Sequence, residues 1–121
     1  MNTASSHTAT TTPSSQTWTV TRDGAEVARS SAVVLVQESY NGADLEPVPY
    51  FPVDDVSIEL SGPTGHHTTC PVKGQASYYS VAGDASLENA VWFYAEPMSP
   101  LEPITNHVAF YGDRFDISSQ G

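Results

Sequence analysis

Turn-forming pairs cut this chain into short pieces. Asp23-Gly24, Asn41-Gly42, Ser61-Gly62-Pro63, Gly83-Asp84 and Gly112-Asp113 stand between brief apolar runs. Asp-Gly and Asn-Gly take the positive φ angles that tight hairpin turns need, so each pair marks a reversal between strands. Eight glycines and nine prolines in 121 residues keep that punctuation dense. Charged residues make up only 15%, too few for a coiled coil. The length fits one domain with a core of its own. The expected fold class is therefore mostly β: compact antiparallel sheets, a meander bent into two facing layers.

Strands are expected at 18–22, 26–29, 32–36, 56–60, 75–81, 88–95, 107–111 and 114–117. The run Ala32-Val33-Val34-Leu35-Val36 is continuous and largely β-branched, so both of its faces should be buried. Pro49-Tyr50-Phe51-Pro52 is bracketed by prolines, which places 48–52 at an edge or in a loop. Asp54 and Asp55 after Pro52 read as a single helical turn. Residues 97–103 hold three prolines and are expected to be irregular. Residues 1–17 contain ten Ser or Thr and no Val, Ile, Leu or aromatic. Such a segment buries too little to offset its ordering entropy, so it reads as a disordered tail that adds nothing to stability, with His7 inert inside it. The folded domain is then 18–118, and 119–121 is a second tail.

Fourteen acidic residues face four basic ones, for a formal net charge of −10. Phosphates would be repelled over most of such a surface, so neither nucleic acid nor an anionic membrane is an expected partner. No apolar run approaches the ~18 residues of a transmembrane helix. The N-terminus carries no basic and apolar signal pattern, and a cytoplasmic protein is expected. The lone Cys70 excludes an intrachain disulfide and an all-cysteine zinc site. His66 and His67 are neighbours that a strand would point to opposite faces. With Cys70 and His107 they make no spaced four-ligand set, so no metal or other cofactor is expected.

Chemistry concentrates at Cys70-Pro71-Val72-Lys73-Gly74, which holds the only thiol and the only lysine. A lysine beside glycine can reach an anion while the glycine lets backbone come close, and burial would turn the amine into a base or nucleophile. A plain surface turn is the competing reading. Cys70 is either a thiol activated by the nearby ammonium or a small buried hydrophobe. Glu38 follows the buried run 33–36, and Glu96 follows Trp92-Phe93-Tyr94, so both carboxylates have apolar surroundings. Trp92 and Tyr94 share one strand face, and Tyr78 and Tyr79 point opposite ways. One set must be core, and the other can line a cleft. His107 is a general-base candidate or a hydrogen-bonded strand histidine.

Several elements, in order along 18–118, carry a resemblance. They are Gly24…Val27-Ala28…Ser30, Val36-x-Glu38-Ser39, Tyr50-Phe51-Pro52…Asp55-Val56, Thr68-x-Cys70-Pro71-x-Lys73-Gly74-x-Ala76-x-Tyr78-Tyr79-Ser80-Val81, Ala90-x-Trp92-x-Tyr94-x-Glu96-Pro97 and Val108-Ala109-Phe110-Tyr111. Together they resemble the domain of unknown function 427 family, whose signature is Cys-Pro-x-Lys-Gly. Val72 stands where that family usually has an aromatic, and Asn106-His107 where it often has a glycine-aromatic pair. The resemblance implies a β-tent-like fold in a branch without structural zinc. It also brings a nucleotidyltransferase-like label, which no residue set here supports.

The leading expectation is a small soluble domain that binds, and by extension processes, a small polar metabolite in an aromatic-lined pocket. Lys73, Glu38 and Cys70 would be its chemical centre. Tyr50, Tyr78, Trp92, Tyr94, Glu96 and His107 would be ligand-binding. A nucleotidyltransferase-like enzyme and a non-catalytic structural or interaction module are the alternatives.

Overall fold

The computed structural model describes residues 7–121. Among these the regular elements are twelve strands and three short 3-10 turns. The strands are β1 (His7–Pro13), β2 (Thr17–Arg22), β3 (Ala25–Ser30), β4 (Val34–Tyr40), β5 (Ala43–Asp44) and β6 (Val48–Pro52), then β7 (Leu60–Ser61), β8 (His67–Cys70), β9 (Gly74–Val81), β10 (Val91–Phe93), β11 (His107–Phe110) and β12 (Asp116–Gln120). The 3-10 turns are Val53–Asp55, Ala85–Leu87 and Glu102–Ile104. A large antiparallel sheet runs β1-β4-β6-β11-β10-β9-β7, with β5 added to β4 and β8 to β9. It curls into a half-barrel. A smaller sheet, β12-β2-β3, packs against it.

The period-2 alternation of side chains gives the large sheet two greasy faces. Phe51, Val91, Val108 and Phe110 point to the layer shared with Val20, Val27 and Ala28 of the small sheet. Their neighbours Tyr50, Ala109 and Trp92 point the other way, into the hollow of the curl. Tyr78 and Tyr94 join them there, and Leu101 and Ile104 plug it from the Glu102–Ile104 turn. Leu35 packs on the first cluster and Val34 on the second, so the run 33–36 is covered on both faces.

The structure departs from the sequence reading in five places. His7–Pro13, expected in a disordered tail, is strand β1, paired with β4 from His7↔Tyr40 to Pro13↔Val34. Threonine's branched Cβ suits an extended edge strand, and one buried residue, Ala9, anchors it. Residues 1–6 of the expected tail lie outside the described residues. Residues 48–52 are an interior strand, not an edge: β6 lies between β4 and β11, with Tyr50 and Phe51 fully buried. Its pairing is short on both sides, so two prolines remove few ladder bonds. The strand expected at 56–60 is broken, with one bridge at Val56↔Ala28 and a short β7. The strand expected at 88–95 shortens to β10, because Asn89 takes a left-handed φ of 52° and extended pairing begins only beyond it. The C-terminal tail is ordered as well: Ser119 and Gln120 pair with Trp18 and Thr17 in β12.

Deleting residues 1–13 should lower the thermal midpoint by at least about 5 °C, which for a domain this size is on the order of 1 kcal/mol. An unchanged midpoint in calorimetry would mean that β1 adds nothing to the sheet.

Candidate functional site

The curl brings the β1–β4 side of the large sheet to the hairpin turn between β8 and β9 on the far side. Backbone pairing does not close the gap; side chains do. Lys73, in that turn, places its Nζ 2.7 Å from Glu38 Oε1 on β4. His7 on β1 donates from Nε2 to Glu38 Oε2 at 2.8 Å. The Lys73 side chain is 12% exposed and that of Glu38 17%, so the pair is largely out of water. Lys73 also lies 5.7 Å from the centroid of the Tyr94 ring, a cation–π contact.

The Cys-Pro-x-Lys-Gly element is what aims the ammonium. Lys73 N–H donates to the Cys70 carbonyl, closing the turn. The Lys73 carbonyl in turn accepts from Met98 N–H at 3.0 Å. Gly74 has φ of +113°, and a Cβ there would stand 3.3 Å from the Glu96 carbonyl oxygen. A side chain would thus be strained twice over, by the dihedral and by the loop it presses on.

Burial pushes the Glu38 carboxyl up, but the hydrogen bonds from Lys73 and His7 and their charges outweigh it and hold the carboxyl below its ordinary range. Desolvation raises the Tyr50 and Tyr94 phenols far above the usual tyrosine range, with a smaller push from the nearby Glu38 carboxylate. Both are neutral hydroxyls at any physiological pH. Tyr50 accepts from Trp92 Nε1 at 2.9 Å, and Tyr78 shares a 2.8 Å hydrogen bond with Thr68. Tyr111, half-buried, is pushed up to about 12 by desolvation and by its contact with Tyr78.

Seven of the nine sequence candidates therefore gather at or behind one charged centre. Lys73, Glu38 and Cys70 form the centre, and Tyr50, Tyr78, Tyr94 and Trp92 stand behind it in the hollow. Glu96 is not with them: its side chain is exposed, and only its carbonyl meets the signature turn. His107 is on the opposite face of the sheet, beside Tyr79 and Phe93, with Nδ1 2.8 Å from the Thr105 carbonyl. His66 and His67 are exposed; His66 lies against the Tyr78 ring and His67 near Ser77.

Sequence reasoning missed His7. Its segment lacks apolar residues, and its partner is 31 positions away. The available signal was the β-branched threonine run that follows it. His7, Glu38 and Cys70 each bring a metal-ligating atom within 4.8 Å of the others. That donor set suits a borderline ion such as zinc. The Lys73 ammonium, however, already sits on Glu38, where the ion's charge would go. A thiol, an imidazole and a carboxylate in this arrangement also have the parts of a nucleophile, its base and an orienting group. Beside this centre opens a cleft of about 410 Å³, lined by His7, Ala9, Pro71, Val72, Met98 and Pro100 among others.

The model of a family described as domain of unknown function (DUF427), and named as a nucleotidyltransferase type, matches residues 10–121. The chain belongs to the DUF427 family. The DUF427 match starts inside β1 and runs through β12, so it takes in part of the strand that the sequence reading left in the N-terminal tail and the end of β12 that it left in the C-terminal one. A comparison with curated proteins finds no match. No helix among the described residues of this DUF427 domain is long and apolar enough to cross a membrane.

Lys73→Met should destabilise the domain by more than about 1 kcal/mol. Breaking a fully buried pair costs ~3–5 kcal/mol, and this one is partly open. Combined with Glu38→Gln it should cost clearly less than the sum of the single changes in urea titrations. Additive effects would show that the two side chains do not support each other.

The pH dependence has a defined sign. A carboxyl lowered in the folded state stabilises above its unfolded pKa, and that contribution is lost as pH falls through the lowered value. Wild type should therefore lose more stability than Glu38→Gln between about pH 7 and about pH 3. Equal losses would remove Glu38 from the acid response.

Proposed function

We propose that this DUF427 domain binds a small polar metabolite at the Lys73–Glu38–His7–Cys70 centre, reached through the adjacent cleft. The observation that carries this reading is the largely buried ion pair, together with His7, which both lines the cleft and hydrogen-bonds Glu38. A ligand in the cleft meets a histidine first and an ammonium–carboxylate pair behind it. A polar molecule with an acidic or hydroxyl group can exchange one of these contacts for its own. The buried tyrosines close the rear of the centre with neutral rings and keep the local dielectric low, which strengthens each polar contact made there.

The thiol of Cys70 extends the reading from binding to processing, because it stands within reach of an imidazole held by a carboxylate. Nucleotidyl transfer fits the residues less well. Phosphate chemistry needs clustered cations, and here each of the four basic side chains is engaged; Arg22 and Arg114 are neighbours, but both are tied to backbone carbonyls. Arg22 donates to the Arg114 carbonyl, Arg29 to Glu26, Arg114 to the Glu88 carbonyl and Lys73 to Glu38.

Native mass spectrometry of the purified domain, followed by denaturing extraction, tests the proposal. Wild type should release a small polar compound, and the double variant Lys73→Met/Glu38→Gln, verified as folded by circular dichroism, should not. A folded wild type that carries and takes up no metabolite from a cell extract would favour the structural-module reading.

A further inference from the structure

A second cleft, of about 370 Å³, lies where the small sheet meets the large one, away from the charged centre. Trp18 and Ile117 line it from the small sheet's strands, and Trp92, Phe110 and Tyr111 from the large sheet's side; Glu46 stands at the approach to β6. Both tryptophans of the chain are here, and both are half-buried. Their N–H groups are already committed: Trp18 Nε1 donates to Ser14 Oγ at 2.9 Å, and Trp92 Nε1 to the Tyr50 hydroxyl at 2.9 Å. The Tyr111 hydroxyl is directed to Tyr78. The indoles therefore have ring surface to offer and no hydrogen to donate. The one ionic side chain in the lining is the carboxylate of Glu46, which is exposed.

Two electron-rich rings, a third aromatic 4.6 Å from Trp92 and a single anion make a selective environment. Anions are repelled by Glu46, and by a chain of net charge −10. Neutral polar molecules find no free side-chain donor in the lining. An alkylated ammonium suits all of it, since its methyl groups bury against the rings while its charge faces the ring quadrupoles and the carboxylate. Tyr111 already has the Arg114 guanidinium 5.9 Å from its centroid, which leaves Trp18 and Trp92 as the rings for a ligand. We propose that this cleft is a binding site for a small quaternary or alkylated ammonium compound. Trp92 also backs the hollow behind the Lys73–Glu38 centre, whereas Trp18, Ile117 and Glu46 belong to this cleft and not to that centre, so the Trp18 indole distinguishes failure of one proposal from failure of the other.

Choline and its neutral isostere 3,3-dimethyl-1-butanol are the probes, titrated at constant ionic strength into the ¹⁵N-labelled full chain. The two indole N–H resonances report directly, since the chain has two tryptophans. Choline should move both, saturating at millimolar concentration. The isostere should bind at least about tenfold more weakly, as expected for a cation–π contact removed from a partly desolvated site. Glu46→Lys, at an exposed position, should weaken choline at least about tenfold, and Glu46→Gln less. Equal binding of choline and the isostere overturns the proposal. So do indole resonances unmoved by choline, and choline affinity unchanged in Glu46→Lys.

Discussion

The contact between Lys73 and Glu38 joins two parts of the molecule that no backbone hydrogen bond joins among the described residues. Seen along the sheet, β1 with β4 and the β8–β9 hairpin are its opposite sides, four to six positions apart. Curling a sheet this far buries Tyr50, Tyr78 and Tyr94, and it also drives two edges toward each other. The 2.7 Å ion pair, braced by His7, makes that approach favourable. Opposite charges attract more strongly as water leaves, and a lysine with no partner would be expelled from the same place. The hollow, its tyrosines and the adjoining cleft all depend on this closure.

The strict alternation along β6, β10 and β11 makes one sheet serve two interiors. Tyr50 and Phe51 are adjacent in sequence and belong to different cores. The inner core is the more polar, with four tyrosines or tryptophans linked by hydroxyl and indole contacts; the outer one is filled by phenylalanine and valine. Two clefts of different chemistry occur in so small a domain. One adjoins the charged closure and is lined by His7 and largely apolar residues; the other is aromatic and takes rings from both cores, Trp92 and Tyr111 from the inner and Trp18 and Phe110 from the outer.

Much of this was legible in the sequence because it is local. Asp23-Gly24 and Gly83-Asp84 fix turns wherever they occur, and the run 33–36 announces a strand covered on both sides. Lys73 stood out because the chain has no other lysine, and Glu38 because apolar residues precede it. The parts that were not legible are long-range. Nothing within residues 7–13 says that β4 will accept a threonine-rich strand; that pairing exists because β4 would otherwise be an edge. Pro49 and Pro52 read as an edge because each removes a donor, whereas the burial of Tyr50 and Phe51 outweighs the few bonds lost. His7 entered the centre with its strand, and no pattern in the sequence could place it there. Glu96 and His107 failed to join the centre for the opposite reason: their neighbours are apolar, but their own side chains face outward or to the other layer.

A barrel zipped by a continuous ladder of amide bonds can open only by unfolding. This half-barrel is shut by a latch of side chains, so its edges can part without the loss of a single strand pairing. A change that neutralises either partner, such as acylation of the lysine amine, would remove the charged part of the closure and leave the apolar packing of Leu101, Ile104 and the tyrosines to hold the curl.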